Sequence, residues 1–278
     1  MTAVTTTHTR PAAGPAPRRR AGLAGTLRSE LTKIRSVRST YWTLIVLMAA
    51  GIGFSIADCA GTAAHFSPQQ RIDATQDSVA GMILLGELVI VVLGALTITS
   101  EYSTGMIRTS LTVMPRRGVL YAAKAAVFGT VTLAVSVVTT VASFFIGQVL
   151  LSSTHQSATL STPNALRAVL VTALFVFLTG MMAYGIGAII RHTAGAMTTA
   201  YALFLLLPQL AKALPTPWYN DVVRWLPGGD AVNSMTSTVN RGLQSPHVFS
   251  AWGELAVFAG YTVILLAAGA LLFRKRDA

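Results

Sequence analysis

This sequence is short of charge: 11% of its 278 residues are charged, and only 10 are acidic. Soluble domains carry about 25% charged residues, so a soluble globular chain is excluded. A hydrophobic fraction of 53% and a mean hydropathy of +0.59 instead describe an integral membrane protein. Cysteine is reduced to Cys59, which rules out an intrachain disulfide. The stretch Ile56-Ala57-Asp58-Cys59 faintly outlines a lipoprotein cleavage site, but Asp58 is wrong for one. No Gly-Lys pair occurs, so there is no phosphate-binding loop. The five histidines form no H-E-x-x-H pair, and no G-x-S-x-G elbow is present. A chain so written is expected to hydrolyse no ATP, hold no metal or cofactor, and be no enzyme.

What is present is a succession of apolar runs. A spanning helix needs about 20 apolar residues, and six runs qualify: about 41–60, 78–99, 122–151, 165–190, 194–214 and 251–273. The fold class expected is therefore an all-α integral membrane protein with six transmembrane helices. Of the 21 Lys and Arg residues, only Arg71, Arg167, Lys212, Arg224 and Arg241 fall on the outer side of this layout. The positive-inside bias then places both termini in the cytoplasm. The net charge of +11 follows the topology, so no nucleic-acid partner is expected.

Residues 1–20 are rich in Thr, Ala, Pro and Arg without apolar periodicity, and read as a disordered cytoplasmic tail. Over 21–38, Leu23, Leu27, Leu31, Ile34 and Val37 recur at helical spacing with Arg28, Lys33, Arg35 and Arg38 off the stripe. That pattern predicts an N-terminal amphipathic helix lying in the inner interface. Glu30 projects close to its apolar stripe and needs a partner, either Lys33 on the same helix or a group elsewhere.

The polar stretch from Ser100 to Lys124 interrupts the second and third runs. Ser100 as a helix cap, Glu101 in the first turn and Pro115 as a stop predict a short helix with Met106, Ile107 and Leu111 on one side. A stiff surface element with an apolar face suits docking to another protein. On the other side, 215–250 carries Trp218, Tyr219, Val222, Val223, Trp225 and Leu226 before Pro227-Gly228-Gly229, a stretch apolar enough to dip into the outer leaflet or to anchor a surface loop.

Two features sit inside the runs. Glu87 lies near the middle of the second, where a carboxyl costs about 2.5–3.5 kcal/mol to insert. It is either protonated and hydrogen-bonded or lines a polar path, which makes it a candidate for a substrate pathway. Ala80, Glu87 and Gly94 share a face, and Gly180, Ala183 and Gly187 give the fourth run small-residue contacts. Pro208 should kink the fifth by removing a backbone hydrogen bond.

The entry stretch Arg28-Ser-Glu-Leu-Thr-Lys-Ile-Arg-Ser-Val-Arg-Ser-Thr-Tyr-Trp42 resembles that of actinobacterial ABC-2 type permeases. The run Ile98-Thr-Ser-Glu-Tyr-Ser-Thr-Gly-Met-Ile-Arg-Thr-Ser-Leu111, followed by Pro115-Arg-Arg and Ala123-Lys124, resembles the loop of the same family between its second and third spans. The resemblance implies the ABC-2 type permease fold over 21–278, with a coupling loop at 100–121. It implies the membrane subunit of an ATP-binding-cassette exporter in a bacterial plasma membrane. Its partners would be a cytoplasmic ATPase subunit, which binds ATP and Mg, a second permease subunit of the same or a related kind, the lipid bilayer and a small-molecule substrate. Coupling to the ATPase would fall to Glu101, Tyr102, Gly105, Met106, Ile107 and Arg108, with Glu30, Lys33 and Arg35 alongside. Glu87 matches no motif of the family. The other reading is a secondary transporter that works without an ATPase and uses Glu87 as a proton-coupled carboxyl.

Overall fold

The computed structural model describes residues 23–36, 38–67, 73–107, 112, 116–226, 232, 236–238 and 249–275. Among them no strand occurs. A helix, α1 (Leu23–Ser36), falls within the stretch 21–38, and α2 (Arg38–Ala64) makes the first span. The second span is α3 (Ala74–Gly81), a π-helical turn (Met82–Gly86) and α4 (Glu87–Ser103). The third is α5 (Arg117–Leu151) and the fourth α6 (Ala165–Ile190). The fifth runs through α7 (Thr193–Tyr201), a second π-helical turn (Ala202–Leu206) and α8 (Leu207–Ala211). A short α9 (Thr216–Val222) precedes α10 (Ala251–Lys275), the sixth span.

Among the described residues, six helical stretches are long and apolar enough to cross a membrane: Thr40–Ala64, Ala74–Ser103, Arg117–Thr154, Ala165–Ile190, Thr193–Ala211 and Ala251–Lys275. The third, at about 57 Å by helical rise, exceeds a hydrocarbon core of about 30 Å. Its first turns, with Arg117 and Lys124, therefore reach beyond that core or tilt within it. The expected runs were right in number and order and short at several ends, because helices continue into polar residues that their own backbone hydrogen bonds still satisfy.

The fourth span is the axis of the bundle. Of its most apolar window 78% is buried, against 22% for the first and sixth spans, which turn mainly outward. Small residues let it sit there. A Cβ on Gly94 would run into the Gly180 carbonyl oxygen, and one on Gly187 would lie 2.8 Å from Ile98 Cγ2. Gly185 backs onto the Leu265 and Leu266 backbone of α10. The small-residue contacts expected for Gly180, Ala183 and Gly187 are thus packing contacts that bring α4 and α10 onto α6.

The second and the fifth spans each contain one π turn. In the fifth, the turn precedes Pro208, whose missing N–H would otherwise break the helical ladder. Cys59 lies inside α2, buried against Ala74 and Leu151, with α2 continuing to Ala64. A lipoprotein cleavage site has no place there.

The ends of the bundle differ. One end, here the basic end, gathers α1, the close of α4, the start of α5, the turn at Arg191 and the close of α10. At the far end, Asp73 caps α3 by accepting from Gln76 N at 3.1 Å. The same buried carboxylate accepts from Ser237 Oγ, Thr238 N and Thr238 Oγ1 at 2.8, 2.7 and 2.6 Å. Arg167 donates to Ser237 O at 2.8 Å. Ser237 and Thr238 are therefore fastened to the starts of the second and fourth spans. Its α9 is only seven residues long, and Trp218 and Trp225 are exposed. The break expected at 227–229 and the tail at 1–20 lie outside the described residues.

Candidate functional site

The basic end is where the chemistry-bearing side chains meet. Lys124, on the second turn of α5, is buried; its Nζ donates to Glu30 Oε2 at 2.8 Å and to Glu101 Oε1 at 2.7 Å. One cation thus joins α1, the last turn of α4 and the first turns of α5. Both carboxylates are 4% exposed, so neither is offered to an outside partner. A buried charge is tolerated only when paired and hydrogen-bonded, and this arrangement pairs one ammonium with two acids.

The geometry corrects two readings of the sequence. Ser100 does not cap a new helix: α4 runs on through Ser103, and Ser100 O accepts from Thr104 N at 3.1 Å. Glu101 accordingly sits at a helix C-terminus, where the dipole disfavours an anion. Lys124 supplies the compensation that a helix start would have given. Glu30 is held by Lys124; Lys33 and Arg35 belong to α1, but their side chains lie outside the described residues, as does Arg108.

The chain breaks at Gly105, whose φ of +69° is in the left-handed region. Helical geometry resumes at Met106 and Ile107. These two do not share a face: Met106 is 47% exposed and Ile107 is buried, as adjacent residues about 100° apart on a helix must diverge. Of the expected docking face, Met106 alone among the described residues points outward, and Leu111 lies outside them. Among the described residues of this region, the turn Thr104-Gly105-Met106 is the exposed tip.

Aromatic rings brace this tip from behind. Tyr102 meets Phe273 of α10 edge-on at 6.4 Å, and the Arg191 guanidinium lies 4.9 Å from its ring centroid. Arg191 closes the fourth span in a left-handed conformation (φ 61°) and donates from Nη2 to Leu272 O at 3.3 Å. Tyr184, fully buried, donates to Tyr121 O at 3.2 Å, and Tyr121 donates to Leu266 O at 3.1 Å. Thr193 donates to Thr99 at 2.9 Å. All six spans except the first thereby meet through side chains at this end or through the packing of α6.

Glu87 is elsewhere. It follows the first π turn, fourteen residues or about 21 Å of helical rise from Glu101. It is 5% exposed, and its Oε1 has no hydrogen-bond partner among the described residues. The fifth span approaches here, with Tyr201 Oη donating to Leu88 O at 2.7 Å. Two π turns in facing spans flank this level, a feature common at functional sites. No group of three or more metal-ligating side chains occurs among the described residues.

Sequence reasoning picked Glu30 and Glu101 and missed what joins them. In the sequence Lys124 reads as an inner-side charge and as part of the stretch that resembles the family's loop, and neither reading names its partners, although a lysine seven residues inside a helix, followed by an apolar run, is a signal of pairing. Asp73 was missed too; its position ahead of Ala74 is a cap signature.

No curated protein matches the chain. The family profile described as "ABC-2 family transporter protein" matches residues 28–278, from α1 through all six spans. With the helical count, the buried junction at the basic end and that match together, the chain belongs to the ABC-2 transporter family, as a permease of ABC-2 type.

Proposed function

We propose that this chain is the membrane-spanning subunit of an ATP-driven exporter in a bacterial plasma membrane, with both termini in the cytoplasm. It would pair with a second six-span subunit, identical or related, and with a separate cytoplasmic ATPase that binds ATP and Mg. The cargo would be a small amphipathic molecule such as a drug, an antibiotic or a metabolite. The observation that carries this reading is the Glu30–Lys124–Glu101 triad behind the exposed Thr104–Met106 tip. A push on that tip acts on α1, α4 and α5 as one piece, because the ion pairs tie them together. A nucleotide can drive transport only through contacts that differ between two states, and a tied junction passes such a difference on to several spans at once.

The roles follow from placement. Met106 would be the apolar contact to the ATPase and Gly105 the turn that presents it. Ile107 anchors the tip inward, and Tyr102 braces it against Phe273 and Arg191. Glu30 and Glu101 are positioning residues acting through Lys124, while Arg108, Lys33 and Arg35 would add cationic contacts. In an assay with the co-purified ATPase, Met106→Glu and Gly105→Pro should abolish stimulation of ATP hydrolysis and leave insertion intact. Normal transport by either variant, or transport by the purified chain with no ATPase present, would overturn the proposal.

The unpartnered Oε1 of Glu87 favours a second reading, proton-coupled transport without an ATPase. Glu87→Gln would then change transport in a pH-dependent way. Transport by this variant that depends on pH as the wild type does would remove that reading.

A further inference from the structure

At the basic end, where Lys124 of α5 pairs with Glu30 of α1, a groove of about 670 Å³ lies between the two helices. Its walls are Leu27 and Leu31 of α1 and Val127 and Val131 of α5, with Gly25 at its mouth and Arg28 along its edge. Nothing lies within 4 Å of a Cβ built on Gly25, and Leu31 is 42% exposed. From Lys124 to Val131 the groove follows α5 for about 10 Å, from the level of the charges into the apolar body of the span.

We propose that this groove binds an anionic phospholipid of the leaflet that holds α1, with an acyl chain along Leu27, Leu31, Val127 and Val131 and the headgroup phosphate at Arg28. The charges decide the headgroup. Glu30 and Glu101 are both turned inward onto Lys124, which removes the nearby acids from the surface. Arg28 is exposed, and among the described residues no acidic side chain pairs with it. The edge is therefore cationic over an apolar floor, which matches a net-negative headgroup above a hydrocarbon chain. The site does not depend on the ATPase reading, since it uses only the packing of α1 on α5.

The test uses the full chain, purified and reconstituted in nanodiscs of phosphatidylcholine mixed with phosphatidylglycerol, with bound lipid counted by native mass spectrometry after transfer to detergent. Wild type should retain phosphatidylglycerol over phosphatidylcholine by roughly fivefold, the ratio that one basic side chain near an anionic surface gives. Arg28→Glu should abolish the preference, and Arg28→Gln should do so without a charge reversal. Val131→Trp should lower retention of both lipids by filling the floor. A photo-reactive benzophenone side chain introduced in place of exposed Ala126 should crosslink to phospholipid in the same nanodiscs. Equal retention by wild type and Arg28→Gln would overturn the proposal. So would crosslinking at this position to a second copy of the chain or to another protein.

Discussion

Replacing Lys124 with methionine keeps the length of the side chain and removes its charge, which isolates what the cation does between Glu30 and Glu101. Both carboxylates lie within 2.8 Å of Nζ and are 4% exposed. Removing one partner of a buried ion pair costs about 3–5 kcal/mol, mostly because the other charge is left buried and uncompensated. Here two buried carboxylates lose the cation they share, and the upper part of that range applies. Glu30→Gln or Glu101→Gln should cost less, about 1–3 kcal/mol, because the remaining acid still neutralises Lys124 and the amide oxygen still accepts from Nζ. The assay is thermal unfolding in detergent, followed by the fluorescence of the four tryptophans. At about 2–4 °C per kcal/mol for a chain of this size, Lys124→Met should lower the midpoint by roughly 10 °C or more. The triple variant Lys124→Met, Glu30→Gln, Glu101→Gln should recover most of that loss, since no charge is then stranded. If Lys124→Met melts with the wild type, or the triple variant melts no higher than Lys124→Met, the electrostatic account of this junction is wrong.

The seam between α4 and α6 is equally exposed to test: Gly94→Ala puts a methyl group 2.9 Å from Ala183 Cβ and against the Gly180 carbonyl. Overpacking of that kind costs about 1–3 kcal/mol, visible as a lower melting midpoint, while Gly53→Ala, with open space around it, should be neutral. At the far end, Asp73→Ala removes the cap of α3, worth about 1 kcal/mol, together with the anchor for Ser237 and Thr238. A cysteine introduced at Thr238 should then react faster with a membrane-impermeant maleimide, and an unchanged rate would show that Asp73 does not hold the segment. Gly105→Ala forces a side chain into the left-handed region at a cost of about 1–2 kcal/mol. It should weaken ATPase stimulation less than Gly105→Pro does.

Composition and hydropathy by themselves determined the solvent, the number of spans and their order. Each helix closes its own backbone hydrogen bonds inside a bilayer, and its apolar length can be read without knowing its neighbours. That α1 is a helix was legible for the same local reason. Pairing was not. Glu30, Glu101 and Lys124 are separated by 94 and 23 residues in their two contacts, and no periodicity in one segment says which acid meets which base. Only the packing of α1 and α4 against α5 decided that the two acids turn inward and leave Arg28 outside. Likewise the sequence marked Gly94, Gly180 and Gly187 as small, while the bundle decided that they meet and that the fourth span lies at the centre. Local propensity ends where a side chain's partner lies on another helix, and there the free energy of burying a charge chooses the partner.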